Sequence, residues 1–180
     1  LRGERGDNLA DPLGGVESSD PNRPGVIFDV DGVINFDQDG AAAGVFRDLG
    51  DGSLIDRSDD YIPGIPGLEE GTDNIGAEIL SYIEFPEAGF YRMIFNSDDG
   101  FRVTLGHEAS PDAIQLGVFS GGRGAADTVF GFAVVKAGLY PMRAIWYEGG
   151  GGANLEWSST DLSTRVLIND PEGGLKSYRA

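Results

Sequence analysis

Phe90-Tyr91-Arg92-Met93-Ile94-Phe95-Asn96-Ser97-Asp98-Asp99-Gly100-Phe101-Arg102-Val103-Thr104-Leu105 decides how this chain is read. On each side of Asp98-Asp99-Gly100 the side chains alternate as those of a half-buried strand do. Two adjacent carboxylates and a glycine therefore stand at a strand-to-strand turn. Adjacent acids repel each other, and a hard cation such as calcium would relieve that repulsion. It takes oxygen ligands in flexible geometry, so oxygens from another loop could complete its shell. The competing reading is a solvated Asp-Gly hairpin turn.

A second segment bears on the choice. Ala137 to Glu148 reads as a turn followed by an aromatic-rich strand. It runs into Gly149-Gly150-Gly151-Gly152-Ala153-Asn154 and then a strand beginning Leu155-Glu156-Trp157. Glycine loses more backbone entropy on ordering than any other residue. Four in succession between strands mark either a mobile linker or a loop whose backbone must approach something closely.

Taken together and in this order, residues 89–103 and 135–157 resemble the PA-fourteen domain family, the protective-antigen-type β-sandwich of bacterial toxins, glycosidases and adhesins and of yeast flocculins. The resemblance spans roughly residues 70–160. It implies an all-β, antiparallel sandwich in which the Asp-Asp pair is joined by a cis peptide and holds Ca2+, with sugar hydroxyls bound directly by the ion. Carried over by position, it implies Asp98, Asp99, Glu148, Gly149 and Gly151 as the metal set, and Asp98, Asp99, Gly150, Asn154 and Trp146 as the ligand-binding set. The Gly121-Gly122-Arg123-Gly124 loop reads as a mobile turn, although the resemblance implies that the corresponding region can line the sugar site. The implied function is a calcium-dependent, lectin-like carbohydrate-binding module of an extracellular adhesin or cell-surface protein, with glycans as partners and no catalytic residues. The alternative is a structural subunit of an extracellular filament or surface layer, self-assembling through its N-terminal leader.

One motif competes. Gly25-Val26-Ile27-Phe28-Asp29-Val30-Asp31-Gly32 resembles the first motif of the haloacid dehalogenase-like phosphatases, with Asp29 as nucleophile, Asp31 as general acid and Lys136 as the nominal lysine. No amphipathic helix follows Ile34, however, and the later segments read as strands. A helix-loop-helix calcium loop fails on its count, since the twelfth position from Asp29 is Gly40 and from Asp37 is Asp48, neither of them the required Glu. His107, the only histidine, reads as a surface hydrogen-bonder. Arg5-Gly6-Asp7 is too short a match to carry a claim.

At 180 residues the chain suits one domain. Its 29 glycines and 9 prolines suit a turn-rich β fold, and with no cysteine there is no disulfide. A formal charge of −17 repels nucleic acid phosphates and is compatible with divalent-cation binding. No apolar run is long enough to insert into a membrane, and no secretory signal is read. The start at Leu1 reads as a processed or excised piece. The expected organisation is an extended or disordered leader over 1–24, a sandwich over 25–168 and an exit linker or tail over 169–180. Strands are expected at 25–30, 43–47, 77–85, 89–96, 101–106, 114–119, 128–136, 140–147, 153–158 and 163–168, with one short helix near 66–70.

Overall fold

The computed structural model describes residues 2–5, 26–38, 43–46, 59–63 and 73–180, with side chains described from Ile27 onward. Among these residues the regular structure is all strand: β1 (Arg2–Arg5), β2 (Val26–Ile27), β3 (Asn35–Asp37), β4 (Ile75–Phe85), β5 (Gly89–Asp98), β6 (Gly100–Leu105), β7 (Gln115–Phe119), β8 (Ala126–Val134), β9 (Gly138–Glu148), β10 (Asn154–Thr160), β11 (Arg165–Leu167) and β12 (Ser177–Arg179). One antiparallel sheet runs β2-β1-β4-β9-β6-β7, with β12 also on β4. The other runs β11-β10-β5-β8, with β3 also on β10. All-β antiparallel sandwich architecture is thus the observed fold, and no helix long and apolar enough to cross a membrane occurs among the described residues.

Period-two alternation explains the facing of the sheets. Ile75, Ala77, Ile79, Ile83 and Phe85 of β4 point inward, as do Met93 and Phe95 of β5 and Leu155 and Trp157 of β10; all are buried in one core. Phe95 stacks on Phe101 with centroids 4.3 Å apart and tilts toward Trp157 at 5.8 Å. At the opposite end of the sandwich Phe85 meets Tyr91, Phe132 and Tyr140 edge-on. Such pairs add about 0.5–1.5 kcal/mol each beyond their buried area.

The outer face of the smaller sheet is also covered. Glu156 is buried there and accepts the Val45 and Phe46 N–H groups at 2.6 and 2.9 Å and Arg165 Nη2 at 3.1 Å. Burial nevertheless pushes its carboxyl up to about 7. This layer turns residues 43–46, expected as a strand, into a bend bound through its amides. The side chain it accepts comes from a strand that the alternation reads as polar on that face.

Three further expectations change. Arg2–Arg5 are extended but paired between β2 and β4, so this part of the leader belongs to the sheet; residues 6–24 lie outside the described residues, as does the helix expected near 66–70. The tail does not simply exit, since Ser177–Arg179 pair with Ser81–Ile83. Finally, β5 and β6 do not pair with each other, so the Asp98-Asp99-Gly100 junction is a crossing between sheets rather than a hairpin.

The two sheets approach along β7 and β8, where a Cβ on Gly117 would stand 2.5 Å from the Phe130 ring. Gly117→Val is therefore expected to cost about 1–3 kcal/mol by overpacking. Urea unfolding measures it; an unchanged midpoint would mean that this seam is not closed.

Candidate metal centre

Two inter-sheet crossings meet at one end of the sandwich and build the site. In the first, β5 ends at Asp98 and Asp99 alone links it to Gly100 at the start of β6. A side chain at Gly100 would place its Cβ 2.4 Å from the Tyr147 ring and 2.9 Å from the Phe119 carbonyl, so the crossing can be this tight only with glycine there. In the second, β9 ends at Glu148, and residues 149–153 carry the chain to Asn154, which pairs with Asp98 across β10 and β5. Residues 50 positions apart in sequence are thereby brought to one place.

Backbone and side-chain hydrogen bonds fasten the first crossing on three sides. The Asp98–Asp99 peptide is cis. Trp146 Nε1 donates to the Asp98 carbonyl at 2.9 Å, Asp99 N–H to the Tyr147 carbonyl at 3.1 Å, and Ser97 Oγ to the Asp99 carbonyl at 2.7 Å. The Asp99 carboxylate accepts Arg123 N–H at 2.6 Å on Oδ1 and Gly149 N–H at 3.0 Å on Oδ2.

One carboxylate oxygen from each of Asp98, Asp99 and Glu148 lies within 4.8 Å of the others. Glu148 is only 1% exposed, and neither of its oxygens makes a hydrogen bond of normal geometry among the described residues, although the Gly150 N–H lies close enough to favour the charged form and the Asp98 carboxyl close enough to share a proton with it, which favours the neutral form. Burial first, then the charges of Asp99 and Asp98, push this carboxyl up to about 9. An acid so placed must either keep its proton or meet a cation. With oxygen donors only, the set matches a hard divalent ion.

The sequence-derived residues divide on inspection. Asp98, Asp99 and Glu148 come together. Gly149 is adjacent, but it turns its N–H rather than a carbonyl toward Asp99, and Gly151, at φ 112°, donates its N–H to Asp73 Oδ1 at 3.1 Å. Gly150 also lies beside Asp73, its Cβ position 3.7 Å from that carboxylate. Trp146 is fully buried in the core, so it cannot stack on a ligand; its contribution is the indole N–H on Asp98. Asn154 is likewise fully buried, with Nδ2 3.4 Å from the Phe36 carbonyl, on the face of β10 that residues 43–46 cover.

Two residues escaped the sequence reading. Arg123 places its guanidinium on the Ser97 carbonyl (3.1 Å), Ser97 Oγ (2.8 Å) and Thr128 Oγ1 (2.9 Å), 4.1 Å above the Phe119 ring. Desolvation lowers its pKa, while Asp127, Asp98 and Asp99 oppose that shift. Asp73 ties down the glycine loop from the start of β4. Neither lies in a motif; only the Gly121-Gly122-Arg123-Gly124 composition pointed toward the first. The phosphatase reading has no support in the fold. Asp29 pairs with Arg179 at 3.0 Å in an all-β setting, and His107 Nε2 lies 2.9 Å from the Ser81 carbonyl.

The PA14 domain family profile matches residues 53–170, and the chain belongs to that family. Among solved structures it is similar to the PA14 domain of the MpAFP antifreeze protein, at 16% identity and TM-score 0.64 over 98% of this chain and 87% of the other. It is similar also to the Epithelial Adhesin 9 A domain from Candida glabrata, solved in complex with Galb1-3GlcNAc, at 16% identity and TM-score 0.57 over 97% and 86%. At such identities the likeness establishes the fold. No curated protein matches the chain significantly.

Because the Glu148 pKa is raised on folding, the cation-free folded state holds a proton that the unfolded chain releases near pH 4.5. The contribution of Glu148 to stability is therefore fully present below about pH 4.5 and is lost as pH rises toward about 9. In chelator, Glu148→Gln is expected to flatten that fall and to melt several degrees above the parent at pH 8 or so. Parallel melting curves for the two proteins across this window would contradict the raised pKa.

Proposed function

We propose that this chain is a calcium-dependent carbohydrate-binding module of an extracellular or cell-surface protein. The single observation that carries the proposal is the convergence of Asp98, Asp99 and the hydrogen-bond-starved, buried Glu148 at the meeting of two sheet crossings. These three acids would hold the ion. The Gly149–Gly152 loop, fastened by Asp99 and Asp73, and the loop bearing Gly121 and Arg123 flank it.

Bound there, calcium supplies open coordination positions to paired sugar hydroxyls. The protein's own part is to hold three negative oxygens at fixed spacing and to keep the flanking loops low. A Cβ on Gly122 would stand 3.4 Å from Asp99 Oδ1, in ordinary contact, so this loop lies directly against the acid. Membership of the PA14 family and the disaccharide complex of the similar adhesin domain support a glycan as ligand. The charge of −17 argues against nucleic acid. A binding role accounts for the acids better than catalysis does, because their close mutual approach is what a cation needs.

Calorimetric titration of the purified chain with calcium, followed by a monosaccharide panel, tests this reading. Calcium at a hundred times its Kd is expected to add about 2.7 kcal/mol of stability. Sugar affinity is expected to be of order millimolar, as for a shallow polar site, and to vanish in chelator. Asp99→Asn should lose both effects while keeping the fold. Glycan binding that persists in excess chelator, or a melting temperature indifferent to saturating calcium, overturns the proposal.

A further inference from the structure

Arg123 meets Asp99 twice. Its own N–H donates to Asp99 Oδ1 at 2.6 Å. Its side chain returns to the same residue by a relay, in which Nη2 donates to Ser97 Oγ at 2.8 Å and Ser97 Oγ donates to the Asp99 carbonyl at 2.7 Å. A hydroxyl has one proton to give, and accepting from the guanidinium on one side turns that proton to the other. Ser97 is fully buried, so no solvent competes for it. The carboxylate and the carbonyl of Asp99 are therefore both set from residue 123.

The guanidinium is itself held from both sheets. Nε donates to the Ser97 carbonyl of β5 at 3.1 Å and Nη1 to Thr128 Oγ1 of β8 at 2.9 Å. Its face lies 4.1 Å from the Phe119 ring centroid at the end of β7 and 5.9 Å from that of Phe101 in β6. Strands β5 and β8 belong to the smaller sheet, β6 and β7 to the larger. One planar group thus bridges the two sheets beside the turn that carries the acids. Two residues earlier, the Gly121 N–H donates to the Tyr147 hydroxyl at 3.1 Å and pins the other end of the same loop.

A positive charge and a planar fork at this point have opposite effects on a bound cation. The charge would repel the ion, whereas the fork would hold its ligands ready. The contacts favour the fork. Three of the guanidinium N–H groups go to uncharged oxygens of Ser97 and Thr128, and among the acids that act on Arg123, Asp127 comes ahead of Asp98 and Asp99. Lysine carries the same charge but neither the plane nor the fork, so it cannot replace these bonds and the stack together.

We propose that Arg123 is a positioning residue of the metal centre, setting Asp99 for the ion through its planar fork rather than through its charge. The inference rests on the reading of Asp98, Asp99 and Glu148 as a calcium site, and one arm of its test therefore omits the ion. In excess chelator, amide hydrogen exchange of the 15N-labelled full chain follows the N–H groups of residues 123 and 149, whose acceptor is the Asp99 carboxylate. Calcium titration of the same proteins gives the Kd of the folded state. Arg123→Lys is expected to speed exchange at residue 123 about tenfold and to weaken calcium binding about tenfold. Arg123→Gln is expected to weaken calcium binding as well. Thr128→Val leaves the guanidinium in place and removes one of its acceptors, and is expected to move both readouts in the same direction by a smaller factor. A residue that only stabilised the fold would lower the melting temperature and leave the calcium Kd of the folded state unchanged. Exchange or calcium Kd unchanged in Arg123→Lys would overturn the inference, and tighter calcium binding by Arg123→Gln than by the parent would show that Arg123 acts through charge repulsion instead. A parent that binds no calcium would overturn the calcium site, while faster exchange in Arg123→Lys would still show Arg123 holding Asp99.

Discussion

Three carboxylates held within 4.8 Å of one another, two of them buried, are the constraint around which this end of the molecule is organised. At an effective dielectric of about 20, two unit charges at such a distance repel by roughly 3 kcal/mol. The fold answers part of that repulsion locally. Asp99 receives two backbone N–H groups, and the Arg123 guanidinium lies near, though its own hydrogen bonds go to Ser97 and Thr128. Glu148 has only the Gly150 N–H to favour its charge, and burial, followed by the charges of Asp99 and Asp98, pushes its carboxyl up. A cation of charge two is the simplest remaining answer, and the charge left unanswered would make its binding strongly favourable to the folded state.

Topology makes the confinement unavoidable. A chain that changes sheets through the single residue Asp99, and changes back through residues 149–153, must bring the ends of β5, β6, β9 and β10 to one place. Gly100 allows the first passage by leaving room for Tyr147, and the Trp146 indole spends its only donor on the carbonyl of Asp98. The core and the site therefore share residues. A change in the packing of Trp146 or Tyr147 would move the acids.

Much of this was legible in the residues, and the rest failed for identifiable reasons. The long strands β4, β5, β8 and β9 were readable to within about two residues because each presents an apolar face to the core, although β5 and β9 are buried on both faces toward their C-terminal ends. The short strands β1, β3 and β12 were not. Three- and four-residue segments such as Asn35–Asp37 carry no period, and their pairing is set by the free edges of β4 and β10 rather than by their own composition. Asp98, Asp99 and Glu148, which the fold brings together, stood out because acids beside glycines at strand ends are chemically conspicuous. The burial of Trp146 and Asn154 was not legible, because sequence proximity to a loop does not say what covers a residue: Trp146 points into the core, and Asn154 lies with Glu156 on the outer face of the smaller sheet, beneath residues 43–46. Arg123 and Asp73 were not singled out because each reaches the site through space: the glycines of 121–124 marked a loop but not its arginine, and nothing marked Asp73.

The central claim is that the three acids exist to share one ion, and a crystal structure grown in calcium tests it most directly. The account predicts a calcium peak within about 2.3–2.6 Å of carboxylate oxygens from Asp98, Asp99 and Glu148 together, with its remaining positions open to water or sugar. A structure at saturating calcium in which Glu148 stays protonated and hydrogen-bonded to Asp98, with no ion among the three, would contradict it.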